Sequence, residues 1–317
     1  MNGHAGPFPT VVAHADWSTH PGKRWLARAV FQPPGRYLAL PPEPVGALGD
    51  LLARLRDGVG GVLLGVDFPI GLPRAYAACA GIDDFFAHLA RFDDHFYAVA
   101  RHASEICAAR PFYPHAPGEK GMVSRQHLLD GLGMADPDEL RRRCDRATLE
   151  RRAASPLFWT LGPNQVGKAA ISGWRCLLAP ALRDGLDLAI WPFQGPLTRL
   201  LAEHRYVVAE SYPAEFYRHL GLPLIRPGGG SKRRQASRRA CAPALLALAQ
   251  HARIEVDARL EAAIRDGFGG TADGEDPFDA TVGLFGVLNV VLGHGPCAVP
   301  DDPAITRVEG WILGQAF

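Results

Sequence analysis

The run Gly61-Val62-Leu63-Leu64-Gly65-Val66 is apolar without interruption and stops at Asp67. Near-continuous apolar runs of this length belong to strands covered on both faces. The segment therefore predicts a central strand in a sheet flanked by helices. Other runs end in the same way. Asp16 closes Val11-Val12-Ala13-His14-Ala15, and Glu210 closes Tyr206-Val207-Val208-Ala209. Asp276 and Asp279 open the apolar stretch Pro277-Phe278-Asp279-Ala280-Thr281-Val282-Gly283-Leu284. A carboxylate at the end of a buried strand is costly to desolvate unless positive charge meets it. A set of them points to a shared cation.

Each acid also has a local explanation. Asp67-Phe68-Pro69 reads as a strand exit, and Asp276 as a helix N-cap with Pro277 at the favoured first position. Glu210 reads as a strand-end residue paired with an arginine such as Arg218. Asp279 is the exception. It falls one turn after Asp276 on the same helical face, in a stretch that looks buried. Two acids there, in register with strand-end acids, would make a cage of oxygens. Hard cations such as Mg2+ bind in that way, through a few carboxylates, water and substrate phosphate.

The rest of the chain supports an α/β reading. Lys23 to Phe31, a Pro-Pro-Gly turn and Arg36 to Leu40 predict two strands of a meander with the Asp16 strand. Val45, Leu48, Leu51, Leu52 and Leu55 have helical spacing across Pro44–Asp57, with Gly58 as a stop. The Asp67 run is then the fourth strand. From residue 74 to 185 the pattern is helical, irregular and rich in His, Arg and aromatic residues, which predicts an insertion within a single 1–317 domain. Strands resume at Leu186–Trp191 and Tyr206–Glu210. Helices are expected over Gln235–Ala252, Val256–Arg265 and Phe278–Leu292. Glu309, near the chain end, is expected at the surface.

Composition narrows the class. Apolar residues make up 47% and charged residues 21% of 317, ordinary values for a globular protein. No apolar run approaches the ~20 residues of a membrane span, so no membrane partner is expected. The N-terminal residues carry neither a charged n-region nor an h-region, which predicts a cytoplasmic protein. Six cysteines without a CxxC pair speak against zinc and against a disulfide framework. A net charge of +1 hides two basic stretches. Arg226, Lys232, Arg233, Arg234, Arg238 and Arg239 follow one another without an acid, beside Gly228-Gly229-Gly230. Arg141, Arg142, Arg143, Arg146, Arg151 and Arg152 are diluted by Asp145 and Glu150. Either run is a solvated face or a phosphate-contacting surface.

Asp16, Asp67 and Asp276-x-x-Asp279-Ala together resemble the RNase H-like superfamily, within it the RuvC-type resolvases, which carry a DxxDA helix. Four longer stretches are Ala15-Asp16-Trp17-Ser18, Gly65-Val66-Asp67-Phe68-Pro69-Ile70-Gly71-Leu72-Pro73, Glu210-Ser211-Tyr212-Pro213-Ala214-Glu215-Phe216 and Glu309-Gly310-Trp311-Ile312. These resemble the domain-of-unknown-function 429 family, a group of predicted RNase H-like nucleases. The similarity spans nearly the whole chain, and the order of the motifs carries it. It implies an RNase H-like mixed β-sheet flanked by helices, with the helical insertion after the fourth strand. It also implies a metal-dependent nuclease holding Mg2+ or Mn2+, as two ions, with DNA or RNA as partner. Asp16, Asp67, Asp276 and Asp279 would bind metal, and Glu210, an additional catalytic acid, or Asp276 would hold or orient the attacking water. Lys168, Arg175, Lys232, Arg233 and Arg234 are the candidate substrate contacts.

Other classes are weaker. Gly162-Pro163-Asn164-Gln165-Val166-Gly167-Lys168 matches GxxxxGK, but Ala169 stands where a hydroxyl should meet Mg2+. Asp16-Trp17-Ser18-Thr19 is similar to the first phosphate loop of sugar kinases and actin-like ATPases, except that bulky Trp17 follows the acid. A nucleic-acid-binding protein without catalysis stays open. No GxSxG elbow or HExxH pair is present.

Overall fold

A computed structural model describes residues 8–56, 60–117, 122–148, 151–162, 165–225 and 230–317. These residues form an α/β structure around one mixed sheet of eight strands. The strands are β1 (Val11–Asp16), β2 (Trp25–Gln32), β3 (Arg36–Ala39), β4 (Glu43–Pro44), β5 (Val62–Val66), β6 (Leu188–Trp191), β7 (Tyr206–Glu210) and β8 (Ile254–Val256). Their order is β6-β7-β5-β1-β2-β3-β8, with β4 paired to β2. β1, β2 and β3 form the antiparallel meander, and β5, β7 and β6 add in parallel on the other side of β1. The apolar run ending at Asp67 is thus an interior strand, hydrogen-bonded on both edges to parallel neighbours.

Alternation along the strands feeds two separate cores. Val11, Ala13 and Ala15 of β1 and Val62, Leu64 and Val66 of β5 face one of them. Val12 and Leu63 face the other. The first core is filled by the segment between β5 and β6, whose described residues carry short helices and no named strand. Its rings pack edge to face, as in Phe85 on Trp174 at 5.2 Å and Phe112 on Phe158 at 5.3 Å. The second core lies under the long helix Glu275–Val291, which packs across β1 and β2. Gly283 in that helix has a physical reason, because a Cβ there would come within 2.1 Å of the buried His14 ring. A mid-helix glycine ordinarily costs about 1 kcal/mol against alanine. Here it lets the helix lie close on β1, which fixes where Asp279 stands relative to Asp16.

Three expected helices differ from the chain's actual path. Over Pro44–Asp57 only Leu51–Leu55 is helical. Pro44 belongs to β4, and Gly46 has a φ of 67°, so the apolar spacing continues through a backbone that cannot be helical. Asp57 and Gly58 lie outside the described residues, as do Arg226, Gly228 and Gly229. Gln235–Ala252 is two helices, Gln235–Arg239 and Ala242–His251, with Pro243 in the first turn of the second. Val256 ends β8, and the helix begins only at Ala258, capped by Asp257, which accepts from the Arg259 N–H at 2.8 Å. No described helix is long and apolar enough to cross a membrane.

Candidate active site

Register brings the acids together. Ala15 pairs with Val66 across β1 and β5, so Asp16 and Asp67 follow at the same end of adjacent parallel strands. The Asp67 N–H closes the ladder on the Ala15 carbonyl at 3.1 Å. Crevices beyond the carboxyl ends of parallel strands are where open α/β sheets bind ligands. Asp16 shares the face of Val12 and His14, beneath the long helix, and that helix presents Asp276 and Asp279 from its first turns. Asp16, Asp67, Asp276 and Asp279 line one open cavity of about 460 Å3. Its walls include Trp17, Tyr212 and Lys232, together with Gln165, Val166 and Ala169 from the start of the helix Val166–Gly173. A Cβ on Gly173 would meet the Phe68 ring at 2.5 Å, so this helix too is seated by a glycine.

The electrostatics of the cavity are those of an under-compensated anion. Burial, then Asp279 and Asp67, push the Asp16 carboxyl well above its usual range. Asp67 is raised in the same way, by burial first and Asp279 second. Asp279 is raised by burial against the pull of Lys232. Asp276 is raised by burial and by its neighbour Glu275. Tyr217 donates its hydroxyl to Asp279 Oδ1, and the Lys232 ammonium donates to Asp279 Oδ2. Burial alone would lower the Lys232 pKa, but Asp279, Asp16 and Asp67 outweigh it and raise it. The Tyr212 phenol is pushed up to about 12, by burial and then by Asp67.

Behind the acids lies His14, fully buried, with Nδ1 2.9 Å from Ser211 Oγ. Burial lowers its pKa to about 3, which keeps the imidazole neutral.

The donor chemistry fits a hard divalent cation. The set is all oxygen, the carboxylates outnumber the two lysines that line the cavity, Lys23 and Lys232, and the open cavity leaves room for water. Among the described residues, however, no three acidic, histidine or cysteine side chains close around a single point. The carboxylates share a cavity without forming a finished coordination shell, and Lys232 lies among them.

Glu210 is not part of this cavity. Val66 pairs with Glu210 across β5 and β7, so Glu210 faces the side of Val66 while Asp67, one residue on, faces the other. Its carboxylate is held by Arg142, whose Nη1 and Nη2 donate at 2.5 and 2.7 Å, and by the Ile70 N–H at 2.7 Å. Arg142 also donates to both oxygens of Asp145, at 2.8 and 3.1 Å. The expected partner Arg218 instead approaches Glu215 at 3.4 Å. Glu210 therefore fastens the loop after Asp67 and the inserted segment to the end of β7. Glu309, expected at the surface, is fully buried and chelated by Arg74 at 2.9 and 2.7 Å.

The expected substrate contacts separate in the same way. Lys232 enters the cavity. Arg233 is 73% exposed and lies 3.6 Å from Glu275, and Arg234 is exposed. Lys168 and Arg175 are not among the lining residues, and Arg175 pairs with Asp94 at 2.7 Å. Of the GxxxxGK match, Pro163 and Asn164 lie outside the described residues. Gly167 serves packing, since a Cβ there would come 2.8 Å from the Leu157 carbonyl. Tyr212 lies within the Glu210–Phe216 stretch that carries part of the resemblance, whereas Tyr217 has no signal in the sequence beyond its proximity to that stretch.

The chain matches no protein-family model, no curated protein and no solved structure.

Proposed function

We propose that this protein is a divalent-metal-dependent nuclease built on an RNase H-like sheet. The supporting observation is the convergence of Asp16, Asp67 and Asp279, from two strand ends and a helix start, on one open cavity. The mixed sheet, with the meander β1-β2-β3 and with β5 and β7 following in parallel on the other side of β1, supports the RNase H-like part of this reading. Asp16, Asp67 and Asp279, with Asp276 at the edge, would hold Mg2+ or Mn2+. Ions held there would supply an activated water and charge neutralisation at the leaving oxygen of a phosphodiester.

The chain's own groups divide the remaining work. Among the described residues no guanidinium pairs with Asp16 or Asp67, so their charge is available to a cation. Tyr217 fixes one oxygen of Asp279 and so orients the carboxylate. Lys232, and Arg233 outside it, offer positive charge to a phosphate chain, a contact that weakens steeply with salt. Tyr212, 37% exposed on the cavity wall, offers a ring face to an unpaired base. Glu210 takes no catalytic part here because both its carboxylate oxygens are taken up by Arg142 and the Ile70 N–H.

The test is cleavage of labelled single-stranded, duplex and branched DNA and RNA with Mn2+, by wild type and by Asp16→Asn. Wild type is expected to cut at least one substrate, and the variant to lose at least a hundredfold in rate. Equal cleavage by both would discard the assignment. Tight ATP binding without cleavage would favour the kinase-like alternative.

A further inference from the structure

Lys232 is attached in two unlike ways. Its backbone is pinned, because its carbonyl accepts from Arg238 Nη1 at 2.6 Å. Arg238 is itself fully buried and donates to the carbonyls of Gly267 at 2.7 Å, Gly269 at 2.8 Å and Thr271 at 3.1 Å. One guanidinium thus ties the lysine segment to the loop leading into the helix of Asp276 and Asp279. Gly267 belongs to this fit, since its φ of 71° and a Cβ contact of 2.9 Å with the Gln235 carbonyl leave no room for a side chain.

The side chain is attached quite differently. It is 42% exposed, and its ammonium donates to Asp279 Oδ2 within the field of Asp16 and Asp67. The root of this cation is fixed while its tip rests on a carboxylate beside open solvent. Three desolvated carboxylates without counter-charge would be costly, and the tip offsets part of that cost. A divalent ion drawing on Asp279 would need the oxygen that the ammonium occupies, and the two like charges would repel in a partly desolvated site.

Resting on the metal-dependent reading above, we propose that Lys232 is a tethered counter-cation. It holds the Asp279 carboxylate while the cavity lacks a divalent ion. Metal arrival displaces it toward the cavity mouth, where the ammonium is left to meet a substrate phosphate. Because Arg238 keeps the backbone in place, only the four-carbon stem has to move.

The experiment is calorimetric titration of the metal-free full chain with Mn2+, comparing wild type with Lys232→Met, a neutral side chain of similar length. The expected result is at least tenfold tighter Mn2+ binding by the variant. Equal or weaker binding by the variant overturns the counter-cation role and leaves the metal site standing. No Mn2+ binding by either folded protein overturns both. A second measurement needs no variant. Acylation of Lys232 in wild type, followed by mass spectrometry with Lys168 as internal reference, is expected to be several-fold faster with saturating Mn2+. An unchanged rate despite bound Mn2+ would equally overturn the proposal.

Discussion

Two sets of carboxylates stand at the carboxyl end of the same sheet, and they differ in what meets them. Glu210 and Asp145 share Arg142, and each of their four oxygens accepts from a guanidinium N–H. Arg142 is fully buried, so neither acid is available to a ligand. On the other face, among the described residues, Asp16, Asp67 and Asp279 have one ammonium in ion-pair contact, that of Lys232, whose side chain is about two-fifths exposed. The first arrangement is a lock between the inserted segment and the sheet. The second is a charge imbalance left open to solvent. Position at a strand end does not separate them, but the count and burial of counter-charges does.

Substitutions should therefore act with opposite sign on the two sets. The largest effect is expected for Arg142→Met, which strands two buried carboxylates. Breaking a buried pair in this way costs about 3–5 kcal/mol, read as a fall in unfolding free energy in urea. A change within experimental error would show that the lock is not a lock. Tyr217→Phe removes a hydrogen bond to a charged group and is expected to cost about 1.5–3 kcal/mol in the metal-free protein. It should also weaken Mn2+ binding, because Asp279 loses its orientation. An unchanged Mn2+ affinity would separate Tyr217 from the site.

Asp16→Asn is expected to do the reverse and stabilise the metal-free protein by about 1 kcal/mol, the scale of one strained buried polar group. The gain should depend on pH. The native Asp16 carboxyl keeps its proton to higher pH than the unfolded chain does. Below the ordinary carboxylate range, near about pH 4, both states of wild type are protonated there and the variant gains nothing. As pH rises through the raised native value, wild type loses stability that the asparagine variant keeps. Parallel melting curves for both proteins from acid to pH 8 measure this. A gain that grows toward acid would contradict the charge imbalance.

Much of this contrast was legible in the sequence, and some was not. Asp16, Asp67 and Asp279 could be placed because strand ends and helix starts set side-chain positions by period alone. Glu210 stands apart from the three aspartates, which one strand alone does not reveal, because its face depends on register between strands. Val66 pairs with Glu210, an offset of one residue from Asp67 that no single strand reveals. Arg142 was unreadable for a related reason. It lies 68 residues from Glu210, in a run whose Arg141 and Arg143 remain partly exposed, and only the folded path turns the middle one inward. Arg238 likewise hides in a basic run, buried by backbone carbonyls from residues 232 to 271 that carry no side-chain signal. The break at Ala240 within the expected Gln235–Ala252 helix belongs to the same group, since apolar spacing runs through it unchanged.

In the proposed function Asp16, Asp67 and Asp279 grip a divalent ion together. Anomalous diffraction from crystals soaked in Mn2+ addresses it directly. A strong peak is expected within coordinating reach of Asp16, Asp67 and Asp279, lost in Asp67→Asn crystals. A saturating soak that leaves this cavity without a peak, or that marks only surface acids, would contradict it.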